Sequence, residues 1–217
     1  MEKRNTAAYA TGVCLITTAL YAATACTSTK VPAHMKVKPI DSGLRIETLT
    51  DCTVAACFTA DDFNWNDRTL TCDVFTKCLY AAADVERMQT GDTLVYEGKD
   101  IVAASIEDSH GGRIINGGIE EGGAELTPDT GRTYRTLLMD DHTDYDRIGK
   151  ARLLLAKDFT IIDCGDDYSD PYDTVSTAQK AYIDSMPQVR RDYFNCLNTE
   201  LVIEKGAVKL LRRRWIP

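Results

Sequence analysis

Apolar and polar residues alternate with a period of two over much of this chain, a spacing that predicts strands with one buried face. Leu44-Arg45-Ile46-Glu47-Thr48-Leu49 has that pattern. Residues 53–59 and 69–75 read as two arms of a hairpin around Asp61-Asp62-Phe63-Asn64-Trp65-Asn66-Asp67-Arg68, where Asn and Asp favour a turn. Residues 77–83 fit either a short strand or a helical turn. Gly91-Asp92 opens a second hairpin that turns at Glu97-Gly98-Lys99 and returns towards Ile106. Residues 113–116, 133–138 and 157–162 add strands, and 199–211 forms a last hairpin turning at Lys205-Gly206. One helix is expected: Ser176-Thr177-Ala178-Gln179 has the form of a capping box, Ala181, Tyr182 and Met186 follow at helical spacing, and Pro187 ends the run. The fold class is therefore mainly β, a barrel or sandwich of roughly eight to ten antiparallel strands with one or two short helices.

The amino terminus breaks the pattern. Glu2-Lys3-Arg4 is followed by an uncharged run from Asn5 to Thr29 with its apolar centre at residues 12–21, the three-part plan of an export signal. Ala23-Thr24-Ala25 satisfies the small-x-small rule for cleavage and resembles the lipobox of bacterial lipoproteins, with Ala23 where Leu is usual. That resemblance makes Cys26 the lipidated first residue of the mature chain and the membrane its partner through that lipid. The organisation expected is a signal peptide at 1–25, a flexible tether at 26–39 rich in small polar residues, and a single β-rich domain at 40–217. Thr27, rather than Asp, after the cysteine permits the outer membrane or cell surface in a Gram-negative envelope.

Charge narrows the partners. The 217 residues carry 25 basic and 33 acidic side chains, a net charge of -8, which argues against a nucleic-acid partner held by phosphate contacts. A basic partner or a cation fits the charge better, and the ligand expected of the whole is a protein, glycan or cation. Export also changes what the eight cysteines mean. With Cys14 in the signal and Cys26 lipidated, Cys52, Cys57, Cys72, Cys78, Cys164 and Cys196 remain as disulfide candidates. Their connectivity is open, although the proposed hairpin suggests bridges across its arms among the first four. The spacings Cys52-x4-Cys57 and Cys72-x5-Cys78 suit zinc poorly.

Several segments carry candidate chemistry. Gly117-Gly118-Ile119-Glu120-Glu121-Gly122-Gly123 has the glycines of a phosphate cradle but no Lys to neutralise phosphate, so it reads as a turn. Residues 163–173 concentrate Asp163, Asp166, Asp167, Asp170 and Asp173, oxygen donors that calcium could use, without the spacing of an EF-hand. His142 lies among acids, and with Asp141 and Asp144 it is the nearest approach to a catalytic set. Thr69-Leu70-Thr71-Cys72 resembles the nucleophile motif of sortases but is one residue short, and its partners do not follow in order. Phe63 and Trp65 at the predicted turn are the aromatic candidates for ligand contact.

The runs TADDFNW (59–65), MQTGDTLVYEGKDI (88–101), INGGIEEGG (115–123) and LVIEKGAVKLLRRRWIP (201–217) are similar to small exported lipoproteins of gut bacteria, a group without an assigned activity. The resemblance implies export and transfers no functional residue. The expectation is a lipid-anchored envelope protein with a non-enzymatic binding or interaction domain and no cofactor. The alternative is an envelope hydrolase or calcium-binding domain using the acidic loops 140–146 and 163–173.

Overall fold

The computed structural model describes residues 33–129, 131–138, 142–163, 174–176 and 179–214. In chain order the strands are β1 (Lys36–Val37), β2 (Cys52–Cys57), β3 (Phe63–Asn64), β4 (Thr69–Lys77), β5 (Leu79–Ala81), β6 (Thr93–Tyr96), β7 (Lys99–Val102), β8 (Ile106–Ser109), β9 (Gly112–Ile115), β10 (Ala124–Pro128), β11 (Thr133–Thr136), β12 (Tyr145–Asp163), β13 (Thr174–Ser176), β14 (Thr199–Glu204) and β15 (Ala207–Arg213). Three short helices accompany them: α1 (Ala82–Arg87), α2 (Gln179–Ser185) and α3 (Gln188–Arg191).

The 19-residue strand β12 organises the molecule. Its first half pairs antiparallel with β4, from Tyr145↔Lys77 to Leu154↔Thr69. Its second half pairs parallel with β15, from Leu154↔Ala207 to Asp163↔Arg213. Register shifts between Arg147 and Gly149, and between Leu155 and Thr160, let one strand bend enough to serve both neighbours. β15 pairs with β14, β14 with β2, and β2 with β4, all antiparallel, so the sheet closes on itself. Taken by position in the chain, the ring of five strands runs first-second-third-fifth-fourth, with its one parallel contact between third and fifth and helices α2 and α3 between third and fourth. This is the Greek-key order of an OB-type barrel. Inward positions such as Val54, Leu70, Val74, Ile161, Leu201 and Leu211 fill it, and closure leaves none of the five with an open edge.

Residues 78–144 are an insertion between the second and third barrel strands. With β1 they build a lobe of two sheets, β5-β11-β10-β9-β8 and β1-β6-β7, around a separate cluster that includes Val37, Tyr80, Val85, Leu94, Ile115 and Leu126. Asp92 joins the parts of this lobe. Its carboxylate accepts the amides of Met35 (2.7 Å) and Gln89 (2.8 Å), and His34 Nδ1 lies 3.7 Å away, so β1 is held beside the β6–β7 hairpin. Gly91, at φ 95°, is the residue this turn requires, because an L side chain is strained in that backbone conformation.

Several expectations need correction. Residues 44–49 do not form a strand: Ile46–Thr48 is a single 3-10 turn, and the apolar residues cover the barrel wall, with Ile46 against Gly149 and Leu49 buried. The compact unit extends back past residue 40 to His34, and Val37, within the expected tether, is buried in the lobe core. Residues 77–83 hold both alternatives, a strand and then the first turns of α1. The helix expected from Ser176 starts at Gln179, while Ser176 itself pairs with Ile161 in β13. The strands are not all antiparallel, since β12–β15 and β1–β6 run parallel. The hairpins at 53–75, 93–102 and 199–213 are as expected.

Candidate functional site

The loop between the first two barrel strands carries the aromatic candidates. Thr59 and Asp62 cap the 3-10 turn Ala60–Asp62 reciprocally, with the Thr59 amide donating to Asp62 Oδ2 at 2.8 Å. β3 then lies along β4 with Phe63 opposite Leu70. Asn64 closes the tip: its Oδ1 accepts from the Asp67 amide (3.1 Å) and its Nδ2 donates to Asp67 Oδ2 (3.0 Å). Arg152 on β12 also donates to Asp67 (2.8 Å) and to Thr69 Oγ1 (3.2 Å), fastening the loop to the third strand.

The rings form a row. Trp65 stacks on Phe63 (4.7 Å, 8°), Phe63 meets Phe58 edge-on (5.6 Å, 87°), Phe58 stacks on Phe194 (4.6 Å, 13°), and the Arg213 guanidinium lies 4.6 Å from the Phe194 centroid. Phe63 is 8% exposed and belongs to the barrel core, so it is a support and not a contact residue. Trp65 is half-buried and has exposed Asn64, Asn66, Asp67 and Arg68 around it. The two residues named together from the sequence therefore differ in role.

At the inner end of the row lies a buried ion cluster that the sequence reading missed. Asp163, fully buried, accepts from Arg213 Nε (3.0 Å) and Nη2 (2.5 Å) and from the Tyr182 hydroxyl (3.0 Å), and it pairs with Arg190 (3.0 Å). A carboxylate between two guanidiniums is a poor ligand for a cation, which corrects the placing of Asp163 at the head of a calcium loop. Its role is to lock β12, β15, α2 and α3 together. Asp166, Asp167, Asp170 and Asp173 lie outside the described residues, as does Trp215. One signal was available for Arg213: it lies two residues after Leu211, in the same inward phase of β15, whereas Val208 comes inward through the register shift that precedes them.

The second acidic segment does not assemble a catalytic set among the described residues. Asp141 lies outside them. The backbone carbonyl of His142 accepts from the Leu138 amide (2.7 Å). Asp144 accepts from Thr136 Oγ1 (3.3 Å), and burial, reinforced by Asp146 and Glu97, pushes its carboxyl up. It faces Tyr96, whose hydroxyl is also pushed up by burial and by the Asp144 charge. Ser109 Oγ and His110 Nδ1 are 3.0 Å apart on the exposed β8–β9 turn, a contact between sequence neighbours with no carboxylate orienting the ring among the described contacts. No group of three His, Cys, Asp or Glu among the described residues is placed to hold a metal.

The cysteines do not bridge across the hairpin arms. Cys52, Cys57, Cys72, Cys78 and Cys196 are free thiols, and Cys164 is outside the described residues. Cys72 lies in the barrel core and Cys78 in the lobe core, and burial pushes their thiols up to about 12 and about 11. Cys57 differs. The Cys196 amide donates to its sulfur at 3.0 Å, and hydrogen bonding from the Cys196 thiol and amide holds the Cys57 thiol below the ordinary range.

The glycine run is a turn, as its missing Lys suggested. Gly117, Gly118 and Gly122 have positive φ, and a Cβ on Gly123 would stand 1.8 Å from the Ile115 carbonyl oxygen. Asn116 Oδ1 accepts the amides of Ala104 (2.7 Å) and Ser105 (3.1 Å), so the segment ties β9 to the preceding loop. No helix among the described residues is long and apolar enough to cross a membrane. Residues 1–32, with Cys26, lie outside them. Comparison with protein-family models, with curated proteins and with solved structures gives no match to this chain.

Proposed function

We propose that this is an exported protein, held to the envelope by a lipid on Cys26, whose barrel binds a glycan through the loop between its first two barrel strands. The observation that carries the reading is Trp65 stacked on the buried Phe63 at the tip of that loop. A ring backed by the core loses little freedom on binding, and its π face suits the C–H face of a sugar. Asn64, Asn66, Asp67 and Arg152 around it supply the planar amides, carboxylate and guanidinium that sugar hydroxyls need. In barrels of this strand order, the face of the second and third strands and the adjoining loop are the surface used for oligosaccharides and oligonucleotides. The net negative charge favours the uncharged or cationic member of that pair of ligand classes.

Tryptophan fluorescence of the protein titrated with defined envelope oligosaccharides tests the binding half. The expected result is a saturable change that survives Trp215→Phe and disappears in Trp65→Ala, with the melting temperature of the latter changed by no more than a few degrees. Binding that is unaltered in Trp65→Ala, or no response to any oligosaccharide, refutes the assignment. Mass spectrometry of the membrane fraction tests the anchor: a diacylglyceryl adduct on Cys26 is expected, and an unmodified Cys26 overturns it.

A further inference from the structure

We infer that Cys57 and Cys196 are a redox pair that closes to a disulfide, tying the end of the first barrel strand to the turn that leads into the fourth. The two residues are 139 positions apart in sequence, yet the Cys196 amide reaches the Cys57 sulfur at 3.0 Å. Their backbones are fixed independently of the sulfurs. Phe58, next to Cys57, donates its amide to the Phe194 carbonyl at 3.0 Å and stacks on its ring. On the other side, Asn195 and Asn198 brace the Cys196 turn, with Asn198 Oδ1 accepting the Asn195 amide (3.0 Å) and Asn195 Oδ1 accepting the Leu197 amide (2.9 Å). Both cysteines are half-buried, so an oxidant can reach them, whereas Cys72 and Cys78 are shut in the two cores.

The chemistry needs a disulfide oxidant and balances as exchange. The Cys57 thiolate attacks one sulfur of the oxidant, forms a mixed disulfide and expels a thiolate. Cys196 then attacks Cys57 Sγ, the Cys57–oxidant bond breaks, and the second thiolate leaves with the Cys196 proton. Two protein thiols are oxidised and one disulfide is reduced to two thiols. The order follows from the geometry. The Cys196 amide donates to Cys57 Sγ and favours a thiolate there, in keeping with the lowered Cys57 thiol. Once Cys57 is in the mixed disulfide it carries no charge to oppose the ionisation of Cys196.

This inference stands apart from the glycan reading, and its test uses no ligand. The full-length protein, purified reduced, is treated with excess oxidised glutathione, then alkylated and mapped by mass spectrometry, with its melting temperature followed in parallel. The expected outcome is a single bridge between the peptides containing Cys57 and Cys196 and a rise in melting temperature of about 10 °C, because closing so long a loop constrains the unfolded chain. Dithiothreitol reverses both. The rise is absent in Cys57→Ser and in Cys196→Ser and kept in Cys52→Ser. A stable glutathione adduct on Cys57, a bridge from either residue to any other cysteine including Cys164, or both thiols still open to alkylation overturns the inference.

Discussion

Asp144 and Asp92 are both carboxylates of the inserted lobe, and their surroundings push them in opposite directions. Burial raises the Asp144 carboxyl. A group whose folded pKa exceeds its unfolded one weakens the fold as pH rises past the unfolded value, and the effect is absent in acid, where both states are protonated. Asp144→Asn keeps an acceptor for Thr136 and removes the charge. It should raise the melting temperature at pH 7 by about 1–3 °C and leave it unchanged below the carboxylate range. Asp92 is lowered, first by the amides of Gln89 and Met35. Its contribution is present above the unfolded pKa and is lost as pH falls through the folded one. Asp92→Asn should therefore destabilise the protein by about 1–2 kcal/mol at pH 7, the worth of a charged acceptor, with the difference vanishing in acid. Melting curves of the two variants across pH test both signs; a common sign would contradict the two environments. Neither role was legible in the sequence, because both depend on what the fold places around the carboxylate: Gln89 and Asp92 are near in sequence, Met35 is not.

At the scale of elements, α2 and α3 cover the barrel end through few buried apolar residues, chiefly Ile183 and Met186, so the Asp163 cluster carries much of their attachment. Removing one partner of a buried ion pair leaves the other charge poorly compensated. Arg213→Met is expected to destabilise by about 2–3 kcal/mol, somewhat below the usual loss because Arg190 still faces Asp163. Combining it with Asp163→Leu should recover part of that loss, and denaturant unfolding of the single and double variants measures the difference. If the double variant is weaker than the single by the full amount again, the cluster is not a coupled unit. Element existence was legible where alternation and turn residues coincided, as at 53–75 and 199–213. It failed at 44–49, where the pattern is present and no partner strand lies beside it, and at 145–156, where Tyr145-Asp146-Arg147-Ile148-Gly149-Lys150 gives little alternation and the strand is held by pairing with β4.

At the scale of the whole molecule, the barrel and the inserted lobe have separate cores. The ends of the insertion meet in register, Lys77 opposite Tyr145, as the two sides of a hairpin would. A chain in which a short Asn-Gly turn replaces residues 78–144 should still close its barrel and unfold cooperatively, with the β signal of its circular dichroism retained. Loss of cooperative unfolding would show that the lobe is needed for closure. The same arrangement explains why the candidate site was only partly legible. Phe63 and Trp65 stood out as turn aromatics, but their division into a buried support and a half-exposed platform follows from the ring row that runs to Phe194, far along the chain.

By itself the sequence determined local things: period-two strands, turns at Gly and Asn, a helix stopped by Pro187, and an uncharged amino-terminal run, because these rest on neighbours within a few residues. The tertiary structure decided which cysteines meet, which arginine is buried, and how one long strand closes a five-membered ring. Those outcomes depend on contacts between positions such as 57 and 196 or 163 and 213, and no local periodicity encodes a pairing whose energy appears only when distant segments are packed side by side.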